Sequence, residues 1–578
     1  MQLSSLDWIS FAAILAAPLA VGIYFYRRAG RDLQQFFLAG RDLPWWLSGT
    51  SMVATTFAAD TPLAVTGIVA ISGIAGNWIW WNAALGTMLT VFFFSRLWRR
   101  AGITTDVEFA ELRYTGRPAA LLRGLRALYL GLPLNCLIIG WVNLALAKVL
   151  AVMLGWERMT AVFVGLAAAG VYTALSGLRG VVVSDLLLFV VATIGAWVLA
   201  FYVLAAPDVG GIAGLTSRLP EETFRLLPQV GAAPDAAQAF ALPLTAFIAF
   251  LGLQWWASWY PGQEPGGGGY IAQRMMSSKD ERHALLATLW FAIAHYCLRP
   301  WPWIIVALAA LGLYPDLADR ESGYALAMRD HLPAGVRGLL VGGFFAAYMS
   351  TVSTQLNWGT SYLINDVYGR FVRKAAGQRE LVAASRIATL AVMLLSGWVT
   401  FYLEDVRQAW EFALESGAGI GLVLILRWYW WRVNAVSEIA ALLAAAAGFV
   451  ALRLLTPIAF PESLLYLVPW TTACWITATL LTPAEPLPHL TAFYRRVRPG
   501  GPGWAPVAAR AGIGPQDRLR GRFADWAAGA LLVYGLLFGA GALLFGSLLS
   551  FALWGAAALA GGLWLHRALR RSATPASG

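Results

Sequence analysis

The chain is poor in charged residues and in cysteine, and both shortages narrow what it can be. Asp, Glu, Lys and Arg make up 13% of its 578 residues, whereas hydrophobic residues make up 59%. A soluble chain carries about a quarter charged residues, so this composition excludes an ordinary soluble protein. The three cysteines, Cys136, Cys297 and Cys474, lie in apolar segments and show neither a disulfide framework nor a metal-ligand spacing.

Long apolar runs recur from one end of the chain to the other. A run of about 18 or more apolar residues predicts a membrane-spanning helix. We place such runs at residues 6–26, 45–71, 76–97, 118–153, 158–178, 180–206, 238–258, 282–312, 338–367, 380–403, 408–428, 434–456, 462–482, 523–546 and 548–566. The sequence therefore predicts an all-α polytopic membrane protein with about 15 transmembrane helices.

The net charge of +11 could suggest nucleic-acid binding, but the positions of the basic residues exclude it. Basic residues concentrate after the odd-numbered spans, within 27–41, 96–117, 274–282, 370–379 and 495–522, and the set includes Arg274. Acidic residues occupy connections between these, at 208–235 and 316–321. This positive-inside pattern predicts an outside N-terminus and a cytoplasmic C-terminus. We expect the protein in the plasma membrane of a bacterial-type cell.

One predicted span carries a row of small and hydroxyl side chains. Ala347, Ser350, Thr351 and Thr354 fall at i, i+3, i+4 and i+7 and share one helical face, with Ser353 beside them. Hard cations such as sodium take oxygen ligands, and uncharged oxygens allow an ion to bind and then leave. Small hydroxyl residues also let membrane helices pack closely, and spacing alone does not separate the two interpretations.

Two predicted spans are interrupted. The second contains Asp60 and Pro62 at mid-membrane depth, and the seventh ends in the glycine- and proline-rich segment 259–269, which cannot remain helical. Breaks five spans apart are typical of an inverted five-plus-five repeat with its binding site at the broken helices. No Gly-Lys-Ser/Thr follows the glycine run, so it predicts a flexible cytoplasmic connection rather than a phosphate loop.

Asp60 is a functional candidate because an ionisable side chain inside a span is costly. It could contact a cationic group on a solute, pair with Arg299, or carry a proton. A buried ion pair and a role in binding remain equal alternatives on the sequence alone.

Five segments together resemble the sodium:solute symporter family, which includes the proline permease and the sodium/glucose cotransporters. They are Phe37–Trp46, Gly180–Asp185, Ile271–Arg274, Met349–Thr354 and Arg427–Asn434. Only Met349–Thr354 is specific by itself, and the resemblance covers residues 1–482. It implies a LeuT-like fold with a 5+5 inverted repeat, extra N- and C-terminal helices, and alternating access.

On this reading the chain divides into consecutive segments. They are a first helix and cytoplasmic loop (1–44), the first five-helix repeat (45–206), the second repeat plus one helix (238–456), a thirteenth helix (457–482), a cytoplasmic linker rich in Pro, Gly and Arg (483–522), and two C-terminal helices with a tail (523–578). The linker is expected to be irregular.

The resemblance also implies ligands, carried over by position. Sodium would bind the backbone carbonyls of Ala54, Phe57 and Ala347 and the hydroxyls of Ser350 and Thr351. A second sodium, held by some family members, would bind Asp185, Ser350, Ser353 and Thr354. Asp185 lies near the inner end of its span, so a solvated helix-end carboxylate is the alternative.

The expected substrate residues are less well defined. They are Asp60, Thr61 and the aromatic pair Trp256 and Tyr260, which matches a substrate pair of the proline permease. With 28 Trp in the chain, any helix face shows some, and aromatic residues also form interfacial belts. The proline permease has its carboxylate at the position of Thr56, so the solute class stays open.

The expected function is sodium-coupled symport that imports a small organic solute, with sodium as the coupling ion and no organic cofactor. Proton coupling through Asp60 or Asp185 is the alternative within transport. A transporter-like membrane sensor needs a cytoplasmic signalling domain, for which 484–522 is too short. An intramembrane enzyme is disfavoured because the five histidines show no metal spacing and no nucleophile motif is present.

Overall fold

The computed structural model describes residues 3–29, 38–56, 59–175, 178–231, 241–258 and 266–571. Apart from two three-residue strands, β1 (Gln229–Gly231) and β2 (Ala241–Pro243), which pair in parallel, the regular structure there is helical. The all-α prediction is therefore confirmed outside this small ribbon.

The first half of the helices runs to the break in the seventh predicted span. They are α1 (Ser5–Ala29), α2 (Trp45–Thr55), α3 (Asp60–Ser72), α4 (Trp78–Trp81), α5 (Ala83–Leu89), α6 (Ser95–Ala101), α7 (Phe109–Arg113), α8 (Gly116–Tyr129), α9 (Asn135–Leu154), α10 (Arg158–Leu175), α11 (Leu178–Ala205), α12 (Gly211–Arg218), α13 (Leu244–Ile248) and α14 (Trp255–Ala257). Turns of π-helix at Thr90–Phe94, Leu130–Leu134 and Ala249–Gln254 connect several of them.

The remaining helices follow that break. They are α15 (Gly269–Ser277), α16 (Glu281–Ile293), α17 (Pro300–Leu313), α18 (Gly323–His331), α19 (Val336–Ser361), α20 (Gln378–Thr400), α21 (Val406–Ser416), α22 (Ile420–Tyr429), α23 (Ala435–Leu455), α24 (Leu464–Leu481), α25 (Leu487–Val497), α26 (Ala505–Ala511), α27 (Leu519–Phe545) and α28 (Leu548–Arg571). Further π-helical turns lie at Ala294–Leu298 and Tyr362–Val372.

The predicted count of about fifteen spans is not confirmed. Ten described helical runs are long and apolar enough to cross a membrane, or twelve when two bent pairs each count as one span. Two other predicted spans fall on the shorter apolar helices Arg158–Thr173 and Leu244–Ala257. The predicted span 76–97 is divided into short helices and a π-helical turn, and none of these pieces is long enough by itself to cross a membrane.

The second predicted span is broken where the sequence places Asp60 and Pro62. Helix α2 ends at Thr55 and α3 begins at Asp60, with an angle of 58° between them. Pro62 lies in the first turn of α3, where its missing N–H removes no helical hydrogen bond. The Thr56 hydroxyl donates to the Val53 carbonyl at 2.7 Å, which satisfies one group that the break frees.

Helix α19 lies at the centre of the bundle. In its most apolar stretch, 94% of the residues are buried inside the protein, whereas the corresponding share for the neighbouring α20 is 11%. Lipid supplies no hydrogen bonds, so a helix rich in hydroxyls belongs inside the protein. The central position of α19 places the hydroxyl row among other helices rather than against lipid.

The charge pattern predicts that Arg274 belongs to a basic loop, and this prediction is wrong. It lies on α15 with 0% of its surface exposed, and its Nε donates to the Ser51 hydroxyl at 3.2 Å. The sequence favours a loop at Arg274 because the segment before it is rich in glycine. Here a half-helix follows that segment and returns into the bundle.

The glycine run is also better fixed than the sequence predicted, at least where the structure describes it. The Trp98 indole donates to the Gly266 carbonyl at 2.6 Å. Gly267 has φ +73°, and a Cβ there would lie 2.6 Å from the end of Met275. The described part is therefore packed backbone, for which glycine supplies both the conformation and the space.

The linker predicted to be irregular contains two helices, α25 and α26, that pack on the core. The Trp504 indole donates to the Trp428 carbonyl at 2.7 Å, and the amide of Trp431 donates to Gly503 at 3.0 Å. Aromatic residues inside a Pro- and Gly-rich segment were the signal for this packing. The two C-terminal helices also pack on the bundle, where Tyr534 donates to the Trp81 carbonyl at 2.9 Å.

A half-buried ion cluster around Asp517, which precedes α27, ties the C-terminal pair to the bundle. Asp517 lies 3.1 Å from Arg100, 2.9 Å from Arg522 and 3.8 Å from Arg96. Burial raises the pKa of Asp517, but the three guanidinium groups outweigh burial and hold it below its usual value.

We expect the stabilisation from this cluster to be present above pH 4 and to be lost as the pH falls through the lowered pKa of Asp517. At pH 7, Asp517→Asn should lower the melting temperature by a few degrees, and the difference from wild type should shrink towards pH 3. Asp42→Asn, at an exposed ion pair with Arg179, is the control and should change little. A difference that stays constant from pH 7 to pH 3 would contradict this assignment.

Candidate functional site

Five helices meet at the level of the break between α2 and α3. The last turn of α2 faces α19, and α11 and α15 pack beside them. The hydroxyl row of α19, the broken end of α2 and the N-terminal end of α11 thus converge, as an ion site at a broken helix requires.

Asp185 on α11 joins two of these helices. It accepts a hydrogen bond from Ser350 of α19 at 2.5 Å and another from Ser51 of α2 at 2.6 Å. Its exposed fraction is 0%, so the alternative of a solvated helix-end carboxylate is wrong. The helix of Asp185 begins at Leu178, and the bundle covers this end of it.

Arg274 completes this polar layer from α15. Besides Ser51, its guanidinium reaches the Gln273 side chain at 2.6 Å and the Thr55 hydroxyl at 3.5 Å, and it interacts electrostatically with Asp185. The Ser48 hydroxyl donates to the Arg274 carbonyl at 2.9 Å. The half-helix α15 is thereby fixed to α2 by buried, charge-assisted contacts.

Thr351 brings the hydroxyl row to the break itself. Its Oγ1 donates to the Thr55 carbonyl at 3.3 Å, and Thr55 is the last residue of α2. Ala54 precedes it, and Ala347 lies one helical turn before Thr351; both are buried. The structure thus brings Ala54, Ala347 and Thr351 to one place, whereas Phe57 lies outside the described residues.

The residues expected at a second sodium show a different pattern. Asp185 and Ser350 bond to each other, but the buried hydroxyls of Ser353 and Thr354 have no hydrogen-bond partner among the described residues. Thr354 lines a small cavity with Gln273 and other residues below this layer. Unpartnered buried oxygens are costly, so these two could serve as ligands.

A second, central cavity opens at the break, on the other side of Thr351. The residues that line it are Thr55, Thr56, Asp60, Thr61, Trp80, Ile138, Trp141, Val142, Tyr270, His295, Thr351, Gln355 and Trp410. Asp60 and Thr61, expected to contact a solute, are among them. Apolar walls with a few convergent polar groups are typical of a small-molecule site.

The structure does not bring Trp256 to this cavity. Its side chain packs beside a separate apolar cluster formed with Leu464, Leu467 and Val468 of α24, and its indole donates to Gly252. Expected substrate contact by Trp256 is therefore not supported by its position. Its partner Tyr260 lies outside the described residues.

Sequence reasoning missed several cavity residues. Gln355 lies one turn after Thr351 on the same face of α19, and His295 lies one turn before Arg299, so helical spacing could have found both. Trp141 and Trp410 carry no such local signal, because their helices reach the cavity only through tertiary packing.

Comparison with solved structures supports the fold. The chain matches a Na⁺-coupled sialic acid symporter, solved in a substrate-bound outward-open state, with a TM-score of 0.65 and 19% identity. The match covers 83% of this chain and 99% of that one. The likeness at this identity concerns the fold, and the predicted LeuT-like architecture is confirmed.

Comparison of sequences extends this to the family. The sodium/glucose cotransporter 4 of Danio rerio is 27% identical over 456 residues, which cover 72% of this chain and 66% of that protein. The sodium/glucose cotransporter of Vibrio parahaemolyticus is 25% identical, over 80% of this chain and 88% of that protein. Both relatives are transport proteins, as the prediction of a non-enzyme requires. The model of the sodium:solute symporter family matches residues 36–445, and the chain belongs to that family.

Proposed function

We propose that the protein is a symporter that couples inward sodium flow to the import of a small organic solute by alternating access. The observation that carries this is the contact between Thr351 and the Thr55 carbonyl, at the end of a broken helix. A broken helix frees carbonyl oxygens that an intact helix would use, and these can bind an ion.

Sodium would bind the carbonyls of Ala54, Phe57 and Ala347 with the hydroxyls of Ser350 and Thr351. These ligands lie on α2, α19 and the segment between α2 and α3. An ion held between them favours whichever conformation keeps these elements together, and it can shift the equilibrium only by its difference in affinity. Sodium binding would thereby order the broken span and prepare it to bind the solute.

The second sodium position is proposed at Asp185, Ser350, Ser353 and Thr354. Two unpartnered buried hydroxyls beside a buried carboxylate support it. Uncharged ligands dominate the first position and a carboxylate joins the second, so the two positions differ in charge.

The solute is proposed to occupy the central cavity. Related cotransporters are named for glucose, mannose and myo-inositol, so sugars and polyols belong in any first screen. Asp60 and Thr61 supply polar contacts at the helix break. The orientation with an outside N-terminus is part of this proposal and is supported by the loop charges outside α15.

Proton coupling is the competing proposal, because Asp60 and Asp185 are both buried carboxylates. We expect solute uptake into right-side-out vesicles to rise at least tenfold with an inward sodium gradient at equal pH on both sides. An inward proton gradient in potassium buffer, without sodium, should leave uptake at the level of empty vesicles. The measurement is initial uptake of a radiolabelled solute.

Vesicles without the protein and vesicles treated with a sodium ionophore are the controls. Uptake that follows the pH gradient in sodium-free buffer would favour proton coupling and contradict the sodium proposal. Uptake that follows neither gradient would contradict coupled symport itself.

A further inference from the structure

We propose that the solute of the central cavity carries a positively charged amine that Asp60 recognises. The inference rests on the proposed transport function and names the chemical class of its cargo. Asp60 is the single carboxylate among the cavity residues of the described chain, and no lysine or arginine lines that cavity. His295 also lines it, but an imidazole, unlike lysine or arginine, carries no obligatory charge, so the single carboxylate at membrane depth favours a cation.

The Asp60 carboxylate has hydrogen-bonding capacity left for a ligand. The backbone amides of Asp60 and Thr61 hydrogen-bond to it at the start of α3, and the Thr61 hydroxyl makes a side-chain contact at 3.4 Å, which is long for a charge-assisted hydrogen bond. An ionised carboxylate accepts about four hydrogen bonds, so capacity remains for a further donor from the cavity. Asp60 also begins α3, which keeps its position fixed relative to the break.

The nearby Arg299 directs its guanidinium elsewhere. It donates to the Val53 carbonyl at 2.8 Å, and its guanidinium carbon lies 5.0 Å from the ring centre of Trp303. Arg299 lines a different cavity, shared with Phe189 and other residues of α11. It interacts electrostatically with Asp60 from that side and leaves the cavity-facing side for a ligand.

The walls of the central cavity suit a cation as well. Trp80, Trp141, Trp410 and Tyr270 contribute four aromatic side chains from separate helical segments. Aromatic faces attract ammonium groups, and several such faces around one site form a cage for them. Apolar walls without Asp60 would fit an uncharged solute equally well, so the combination is what selects the amine.

A further buried acceptor belongs to another residue that lines the cavity. The Oε1 atom of Gln355 is buried with no hydrogen-bond donor among the described residues, and Gln355 lines the cavity. An ammonium brings N–H donors and no acceptor, which is the complement of Asp60 and Gln355. A neutral polyol would satisfy the acceptors but leave the Asp60 charge without a partner in the cavity.

The test uses matched pairs of compounds that differ in the charged nitrogen. They are glucosamine and glucose, and ethanolamine and ethylene glycol. The full chain is purified, and thermal unfolding is followed against the concentration of each compound in sodium buffer. We expect at least one amine to raise the melting temperature in a saturable way. The half-saturating concentration of its neutral partner should be at least tenfold higher.

Asp60→Asn keeps the size of the side chain and removes its charge. We expect it to raise the half-saturating concentration of the responding amine at least about tenfold, because a hydrogen bond to a charged group is lost. Glu222→Gln, in an exposed 3-10 turn, is the matched control and should leave the response unchanged. Asp60→Glu keeps the charge and should keep the preference for the amine, which tests the claim if Asp60→Asn fails to fold.

Neutral compounds that stabilise the chain as well as their amine partners would overturn the inference. So would an amine response that survives in Asp60→Asn, or the absence of any amine response while sodium alone still stabilises the chain. In each of these results the sodium proposal stands. If sodium does not stabilise the wild-type chain at all, that result would instead contradict the proposed function.

Discussion

Replacing Ser350 and Thr351 together with alanine is expected to abolish sodium-dependent stabilisation and sodium-driven uptake. The two hydroxyls are the side-chain ligands of the proposed sodium position, and Thr351 also holds α19 to the end of α2 through the Thr55 carbonyl. Loss of groups around a metal commonly weakens its binding about 10- to 100-fold, and here two ligands are removed at once. The sodium affinity should therefore fall at least about 100-fold.

The matched control is the double substitution of Thr360 and Ser361 with alanine. These are also consecutive hydroxyl residues of α19, but they bond to Thr389 and to the Trp358 carbonyl, outside the polar layer. The control should keep its sodium response within about twofold. A Ser350→Ala, Thr351→Ala protein that folds and responds to sodium like wild type would exclude this site.

Glu438→Gln is expected to produce a large loss of stability. Glu438 is 2% exposed and accepts hydrogen bonds from Tyr114 at 2.7 Å, Arg126 at 3.1 Å and Arg427 at 3.4 Å. Breaking a buried ion pair from one side costs about 3–5 kcal/mol, since the remaining charge stays in a medium of low dielectric constant. We expect the melting temperature to fall by roughly 10 °C.

Glu380→Gln is the matched control because Glu380 has the same kinds of partner in an exposed place. Tyr368 donates to it at 2.8 Å and Arg373 at 3.0 Å, and the Arg373 side chain is 62% exposed. Exposed pairs are worth about 0–1 kcal/mol, so this variant should melt close to wild type. Equal losses in the two variants would contradict the assignment of stability to burial.

The ion position and the central cavity share residues, which suggests how binding of ion and solute could be linked. Thr55 and Thr351 line the cavity, and their mutual hydrogen bond lies at the proposed sodium position. Anything that fixes the end of α2 against α19 also fixes one wall of the cavity. Coupling through shared residues needs no long pathway, and by linkage the solute should strengthen sodium binding by the same factor.

The sequence predicted the parts of this site that depend on local spacing. The row of Ala347, Ser350, Thr351 and Thr354 follows from helical periodicity, and the break at Asp60 follows from proline chemistry and the cost of a buried charge. The family resemblance then assigned these features to one site. The structure brings α2 and α19 together there.

The features that sequence reasoning missed depend on contacts between distant segments. Arg274 was counted as a loop charge, but it is buried against Ser51, which lies over 200 residues away in the chain. Trp256 has the right spacing from Tyr260, yet its face of the helix turns towards α24. Periodicity defines a face but does not say which neighbour covers it, and only packing decides that.

Equilibrium binding of radioactive sodium to the purified chain tests the central claim most directly. The account predicts saturable binding that unlabelled sodium displaces and potassium does not, and that the Ser350→Ala, Thr351→Ala variant lacks. Binding that does not saturate, or that the variant retains at wild-type affinity, would contradict the account.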